Sequence, residues 1–209
     1  MDAEQWNERY LASEAVWSAA PNPALVRVVP PVPQAGALAL DVGCGEGADA
    51  VWLAGRGWQV VGVDWAGVAL DRARRAAADR GVAARFVEGD ATDARFLAGL
   101  SPTGRFELVT LAFIHPEPEE RSRAYAHLPG LLAPGGVLLV IAHDPEHGRR
   151  GLPGPPPHRL LSAGDILAAL ALEQHRDLAV ERAEVVQRAD EAGGVVAVDA
   201  VVLVRRRIA

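Results

Sequence analysis

The sequence has little of several features that mark particular classes of protein. It has a single cysteine, Cys44, among 209 residues, which excludes an internal disulfide. No apolar run approaches the roughly 20 residues of a membrane span. The N-terminal stretch "MDAEQWNERY" is acidic and amphipathic, which does not fit a signal peptide. We therefore expect a soluble cytoplasmic protein with no membrane partner.

Positive charge is also scarce. The formal net charge is −6 at pH 7, and the one basic run, at 205–207, ends a strand-like segment. A nucleic-acid binder usually presents a basic face, so no nucleic-acid partner is expected. The sequence leaves both a monomer and a homodimer open.

Half of the residues are hydrophobic, which is enough for a single domain over 1–209. Short apolar runs alternate with helix-like segments, and two longer runs follow, joined by the turn "DEAGG". The expected strands are 37–42, 58–64, 84–90, 106–113, 137–143, 179–189 and 195–207. This order predicts a doubly wound α/β fold, mostly parallel, with an antiparallel C-terminal hairpin and helices on both faces.

Four further segments carry expectations of their own. Helices are predicted at 2–20, at 92–100 and from about 117 to 132. Residues 144–162 form a long Pro/Gly-rich loop, and loops of this length often serve as lids or substrate segments.

A glycine-rich turn, "LDVGCGEG" (40–47), connects the first strand to a helix, and the second strand ends in Asp64. The turn fits a dinucleotide pattern through Gly43, Gly45 and Ala48. However, Asp41 precedes the turn and Glu46 lies inside it, and a pyrophosphate prefers an electropositive helix N-terminus without nearby anions. The acids favour a cationic ligand without phosphate, such as S-adenosylmethionine.

The sequence resembles the class I S-adenosylmethionine-dependent methyltransferases, of the small-molecule type near the thiol, thiopurine and tellurite-resistance groups. The resemblance rests on segments in the family's order: "LDVGCGEG", "VVGVDWA", "FVEGDA", "FELVTLAFIHP" and "LLAPGGVLLVIAHD". It implies a Rossmann-like seven-stranded sheet and methyl transfer from S-adenosyl-L-methionine to a small molecule, leaving S-adenosyl-L-homocysteine. A repurposed cofactor-binding protein of the same fold and an NAD(P)-dependent oxidoreductase remain as alternatives.

The resemblance also assigns roles around the glycine turn. Gly43, Gly45 and Gly47 let the backbone approach the cofactor. Asp41 orders the loop and polarises the methionine end. Asp64 accepts hydrogen bonds from both ribose hydroxyls, with capping of a helix as the structural alternative.

Further cofactor contacts are implied at the ends of the next strands. Trp65 would lie against the adenine face, or belong to the core. Asp90 would accept from the adenine amino group, with the Ala91 amide serving the ring, or Asp90 would cap the helix that starts near residue 92. Leu111 would line the methionine portion through its backbone.

The N-terminal segment 1–33 resembles the opening helical lid of these enzymes. Tyr10 and Trp17 are the expected contacts to the methionine end of the cofactor. The alternative is that Trp6, Tyr10 and Trp17 form one face of an amphipathic helix packed on the domain.

Methyl transfer from a sulfonium needs a general base only when the acceptor arrives protonated. A histidine is the usual base near neutral pH, and His115 and then His143 are the expected candidates at the ends of the fourth and fifth strands. His143, Asp144 and His147 also suggest metal ligands, but their spacing is not diagnostic and no metal is expected. Arginines in the long loop either recognise an acidic substrate or solvate the loop.

Overall fold

The computed structural model describes residues 3–32, 34–190 and 192–208, and its centre is a seven-stranded sheet. The strands are β1 (Leu38–Val42), β2 (Gln59–Asp64), β3 (Ala84–Glu88), β4 (Phe106–Ala112), β5 (Leu132–His143), β6 (Leu178–Ala189) and β7 (Val195–Arg206). Each overlaps a predicted strand, so the predicted fold class is confirmed. The predicted segments 1–33 and 2–20 and the "DEAGG" turn include Met1, Asp2, Pro33 and Glu191, which lie outside the described residues, as does Ala209.

The helices flank this sheet. Those of the described residues are α1 (Ala3–Leu11), α2 (Pro23–Val28), α3 (Ala48–Gly55), α4 (Gly67–Asp79), α5 (Ala94–Gly99), α6 (Arg121–Tyr125), α7 (Pro145–Arg149) and α8 (Ala163–Ala169). Within the same ranges, no helix combines the length and the apolarity that a membrane crossing requires.

The strand order is β3-β2-β1-β4-β5-β7-β6. Strands β1 to β5 run parallel, while β7 runs antiparallel between β5 and β6. The chain winds outward from β1 in one direction through β2 and β3, and from β4 in the other direction. The carboxyl ends of β1 and β4 therefore border the crevice where ligands bind in doubly wound sheets.

Alternate residues of the central strands pack into two separate hydrophobic cores, one on each face of the sheet. Leu138 and Val140 of β5 pack with α5, α6 and α8 on one face. Leu139 and Ile141 pack with α2, α3 and α4 on the other. These side chains are almost fully buried, and each contributes about 1.5–3 kcal/mol. A sheet covered on both faces explains the continuous apolar runs in the sequence.

The N-terminal helix is shorter than predicted: α1 ends at Leu11 and not near residue 20. The backbone N–H and C=O groups that would form hydrogen bonds within a longer helix instead bond to side chains elsewhere in the protein. The amides of Val16 and Trp17 donate to the Glu46 carboxylate, and the guanidinium of Arg72 donates to the carbonyls of Tyr10 and Ser13.

Three other predicted segments also differ. The helix expected at about 117–132 is divided into a 3-10 turn (Pro118–Glu120), α6 and a second 3-10 turn (Leu128–Leu131), since Pro129 has no N–H for a continuous helix. The loop at 144–162 contains α7, whose N-cap is Asp144. The short helix expected at 92–100 begins at Ala94 and is capped by Asp93, so Asp90 is not its cap.

Candidate functional site

Three positions of the turn after β1 require glycine. Gly43, Gly45 and Gly47 have φ angles of 70°, 52° and 84°, in the left-handed region that favours glycine. A Cβ at Gly43 would lie 2.5 Å from Cδ1 of Ile114. The amides of Gly43 and Cys44 donate to the Val63 carbonyl, so the turn is held against β2.

Asp64, at the end of β2, is tied to this turn. Its Oδ2 accepts from the Gly45 amide and its Oδ1 from the Ala66 amide, both at 2.9 Å. Burial raises the pKa of the carboxyl, and these backbone hydrogen bonds oppose the rise. A carboxylate has about four lone-pair sites, so acceptor capacity remains for a ligand. Trp65 beside it is 40% exposed, which excludes the core alternative.

Asp41 lies beneath the turn with little compensation for its charge. It is 3% exposed, and Oδ1 accepts from the Thr110 hydroxyl at 2.8 Å. Oδ2 is buried without a hydrogen-bond partner among the described residues. Burial, followed by the nearby Asp49, raises the pKa of Asp41 to about 7. A buried acid without a cation partner makes the place unfavourable for a pyrophosphate.

The N-terminal segment covers the turn through two contacts. The Trp17 indole donates to the Tyr10 hydroxyl at 2.9 Å, and that hydroxyl oxygen is 3.1 Å from where a Cβ at Gly45 would stand. Glu46 accepts from the amides of Val16 and Trp17 and pairs with Arg72 at 2.7 Å. The acid inside the glycine turn therefore anchors the segment that carries both predicted aromatic residues.

The predicted residues at the ends of β3 and β4 lie at the same edge of the sheet. Oδ1 of Asp90 accepts from the Thr92 amide and hydroxyl, at 2.7 and 2.8 Å. Ala91 is half-buried, and its carbonyl is bonded to Nε2 of His127. Leu111 is buried beside β1, opposite Val42. Asp41, Asp64, Asp90 and Leu111 thus lie at or near the carboxyl ends of four strands that are neighbours in the sheet, in the order β3-β2-β1-β4.

His115 follows β4 and has both ring nitrogens occupied. Nε2 accepts from the His143 amide at 3.0 Å, so the ring proton is on Nδ1, which donates to the Phe113 carbonyl at 2.9 Å. Burial, and then the neighbouring His143, lower the pKa of His115 to about 4. This imidazole is neutral near pH 7 and has no nitrogen free to accept a proton.

His143, at the end of β5, is bonded differently. Its Nδ1 is 2.9 Å from Oδ1 of Asp199 in β7, and no described residue is bonded to its Nε2. Asp199 is 1% exposed, and its Oδ2 accepts from Nε of Arg188 at 2.6 Å. Burial raises the pKa of Asp199, but the hydrogen bonds from His143 and Arg188 outweigh it and lower the pKa.

His147 of α7 completes the histidine cluster. Its Nδ1 accepts from the Val198 amide, so Nε2 carries the proton and donates to the Pro153 carbonyl. Its ring stacks on His143 with the centroids 4.1 Å apart. Across residues 3–32, 34–190 and 192–208, no three His, Cys, Asp or Glu side chains form a group that could hold a metal ion.

Other charged residues of the predicted loop have partners nearby. Arg149 and Arg150 both pair with Glu146, and Arg159 pairs with Glu117. Sequence reasoning missed Asp199 and Arg188. The only signal for Asp199 was one acid within the apolar run "VVAVDAVVLV".

Comparison with known proteins gives one family match. A family model described as a methyltransferase domain matches residues 39–136. Among solved structures, the N-methyltransferase NodS from Bradyrhizobium japonicum, in complex with S-adenosyl-l-homocysteine, superposes with a TM-score of 0.70 at 19% identity, over 99% of each chain. At this identity, the likeness concerns the fold.

Three curated relatives match more closely in sequence. The demethylmenaquinone methyltransferase of Thermus thermophilus is 40% identical over 108 residues, which are 51% of this chain and 47% of the relative. The 2-heptyl-1-hydroxyquinolin-4(1H)-one methyltransferase of Mycobacteroides abscessus is 32% identical over 150 residues, 70% of this chain and 64% of the relative. The ribosomal RNA small subunit methyltransferase C of Alcanivorax borkumensis is 34% identical over 110 residues, 50% and 31% respectively. The chain spans less than two thirds of the length of each.

Proposed function

We propose, on the premise that residues 39–136 are a methyltransferase domain, that this protein binds S-adenosyl-L-methionine and transfers its methyl group to a small-molecule acceptor. The observation that carries the proposal is the glycine turn between two acids. Asp64 is bonded to the turn, and Asp41 is buried beneath it with one oxygen unpartnered among the described residues.

The described residues fit this cofactor. A side chain at Gly43 or Gly45 would contact Ile114 or Tyr10, so glycine keeps that space free. The acids near the turn suit a cationic ligand without phosphate. Asp64 would bind the ribose hydroxyls, and Trp65 would lie on the adenine. The remaining residues proposed to hold the cofactor are Tyr10, Trp17, Asp41, Gly43, Gly45, Gly47, Asp90, Ala91 and Leu111. The cofactor supplies a methyl group already activated on a sulfonium.

The same charges argue against an NAD(P)-dependent oxidoreductase. Arg72, which reaches the glycine turn, is already paired with Glu46, while Asp41 and Asp49 accept hydrogen bonds only from neutral groups among the described residues. A pyrophosphate there would meet carboxylates and not cations.

A general base is proposed at His143 and not at His115, the first candidate from the sequence. Both nitrogens of His115 are engaged, whereas Nε2 of His143 has no bonded partner among the described residues. A histidine able to take a proton beside the predicted cofactor site also argues against a purely cofactor-binding role.

A small-molecule acceptor is favoured over RNA. One curated relative is named for ribosomal RNA, but two are named for demethylmenaquinone and a hydroxyquinolinone. The formal net charge of −6 also opposes binding to a polyanion. We propose that the protein acts as a monomer or a homodimer.

Calorimetry tests the cofactor assignment. The full chain is titrated with S-adenosyl-L-homocysteine and, separately, with NAD⁺. We expect S-adenosyl-L-homocysteine to bind saturably at one site per chain, and NAD⁺ to give no heat of binding. Binding of NAD⁺ without S-adenosyl-L-homocysteine would overturn the proposal in favour of the oxidoreductase.

A further inference from the structure

A third buried acid, Asp199, lies away from the glycine turn and has no role in holding the cofactor. It is in β7, directly opposite His143 of β5 and Val186 of β6 in the strand register. Burying a carboxylate is costly unless it is paired and hydrogen-bonded. Asp199 is nearly inaccessible to solvent, so its hydrogen-bond partners must offset the cost of burying its charge.

Both carboxylate oxygens of Asp199 are engaged by side chains. Oδ1 is bonded to Nδ1 of His143, and Oδ2 accepts from Nε of Arg188. An ionised carboxylate can only accept hydrogen bonds, so Nδ1 of His143 carries the proton of the neutral ring. The pairing thus selects the tautomer in which Nε2 holds the free lone pair.

The imidazole of His143 is also fixed in position. Its ring lies 4.1 Å from that of His147 and 4.7 Å from that of Phe113. The charged and titratable groups that face it are Asp199 of β7, Arg188 of β6, His147 of α7 and His115 after β4. Because both nitrogens of His115 and of His147 are bonded, His143 is the one imidazole of this described cluster with a nitrogen free to accept a proton.

We propose that Asp199, held by Arg188, is a positioning residue that fixes His143 as the general base for an acceptor with a hydroxyl on an aromatic ring. This inference rests on the proposed function. A phenol-like hydroxyl is protonated at neutral pH, with a pKa of about 10, so it needs a base, whereas a thiolate does not.

The proton and electron balance of the step is complete with these groups. The acceptor oxygen forms the new C–O bond as the C–S bond of the sulfonium breaks, and the sulfur keeps the bonding pair. The hydroxyl proton passes to Nε2 of His143, and the imidazolium that forms is stabilised by Asp199. It then returns the proton to solvent.

Nitrogen NMR of the full chain with ¹⁵N-labelled histidine tests the positioning without cofactor or turnover. The His143 signals are assigned with His143→Gln, and His175→Gln, outside the cluster, is the matched control. In the wild type, neutral His143 is expected with its proton on Nδ1. In Asp199→Asn, the share of this tautomer should fall, since the carboxylate that accepts from Nδ1 is gone. A wild-type proton on Nε2 would overturn the proposal, and this result does not require Asp199→Asn to fold.

Kinetics with two acceptor types tests the substrate class. His143→Gln should slow methylation of phenols by about 10²–10⁴-fold and that of thiols far less. Asp199→Asn should lower kcat for phenols by about 10-fold or more and that for thiols far less. Equal losses for phenols and thiols would show that Asp199 is only structural.

Calorimetry with S-adenosyl-L-homocysteine on the same variants separates two kinds of failure. Unchanged binding together with the losses above supports the positioning role. Absence of binding in the wild type would overturn the proposed function, while the NMR result would still decide whether Asp199 sets the His143 tautomer.

Discussion

We propose that cofactor binding depends most directly on Asp64 and the glycines of the turn. Both were predictable from the sequence, because a glycine turn between a strand and a helix, with an acid ending the next strand, is a local pattern. Asp199 and Arg188 were not. Asp199 is 56 residues from His143 along the chain, and only the antiparallel register of β5 and β7 brings them together. Likewise, no sequence pattern indicates that both nitrogens of His115 are bonded.

Replacing Asp64 with alanine should weaken binding of S-adenosyl-L-homocysteine by about 1–3 kcal/mol, the cost of losing hydrogen bonds to a charged group. Calorimetry measures this loss, and the exposed Asp71→Ala in α4 is the matched control. Wild-type affinity in Asp64→Ala would remove the ribose assignment.

Gly47→Ala should destabilise the protein more than Gly81→Ala. Both glycines have positive φ, at 84° and 64°, so both variants lose about 1–2 kcal/mol from backbone strain. Only at Gly47 would the new Cβ clash, 2.7 Å from Cβ of Ala73, which adds about 1–3 kcal/mol. Urea unfolding of the two variants measures the difference, and equal losses would contradict the close packing of the turn against α4.

At the level of elements, the strands were predictable because buried parallel strands appear as continuous apolar runs. The segment between α1 and α2 was not, because its conformation depends on Glu46 and Arg72, which follow it by about thirty and sixty residues. The proposed lid is therefore an irregular segment anchored to the glycine turn and not a long helix.

Glu46→Gln should loosen this segment. Hydrogen bonds to a charged group contribute about 1.5–3 kcal/mol, so hydrogen exchange at the amides of Val16 and Trp17 should accelerate by about 10-fold or more. Exchange followed by NMR measures this, with the exposed Glu14→Gln of the same segment as the control. Unchanged protection at both amides would show that Glu46 does not anchor the segment.

At the scale of the whole molecule, the winding order of the sheet brings the ends of β1 to β5 to one edge, where the proposed cofactor residues and the histidine cluster both lie. The alternation of strands and helices predicted this topology. The division of the chain into one domain with a lid and a substrate loop stays a prediction.

Stability should depend on pH through Asp41. Its pKa is raised to about 7 in the folded protein, against about 3.9 in an unfolded chain. Between these values the folded state holds the extra proton, so the contribution of Asp41 to the free energy of unfolding is full below about pH 4 and is lost as pH rises to about 7.

Urea unfolding of wild type and Asp41→Asn at pH 4.5 and 7.5 measures this effect. The stability of the variant relative to wild type should increase at the higher pH. Asp49, whose pKa burial also raises, interacts with Asp41, so the difference reports Asp41 together with its interaction with Asp49. A difference in the free energy of unfolding between Asp41→Asn and wild type that does not change with pH would contradict this interpretation. So would the same change in the control Asp71→Asn.

The most direct test of methyl transfer is product mass spectrometry with S-adenosylmethionine labelled in its methyl group. The full chain is incubated with matched panels of aromatic hydroxyl and thiol compounds. Labelled methyl on an aromatic hydroxyl, lost in His143→Gln and retained in His175→Gln, is the predicted result. Tight binding of S-adenosyl-L-homocysteine with no labelled product from any acceptor would contradict the assignment and favour a cofactor-binding protein without catalysis.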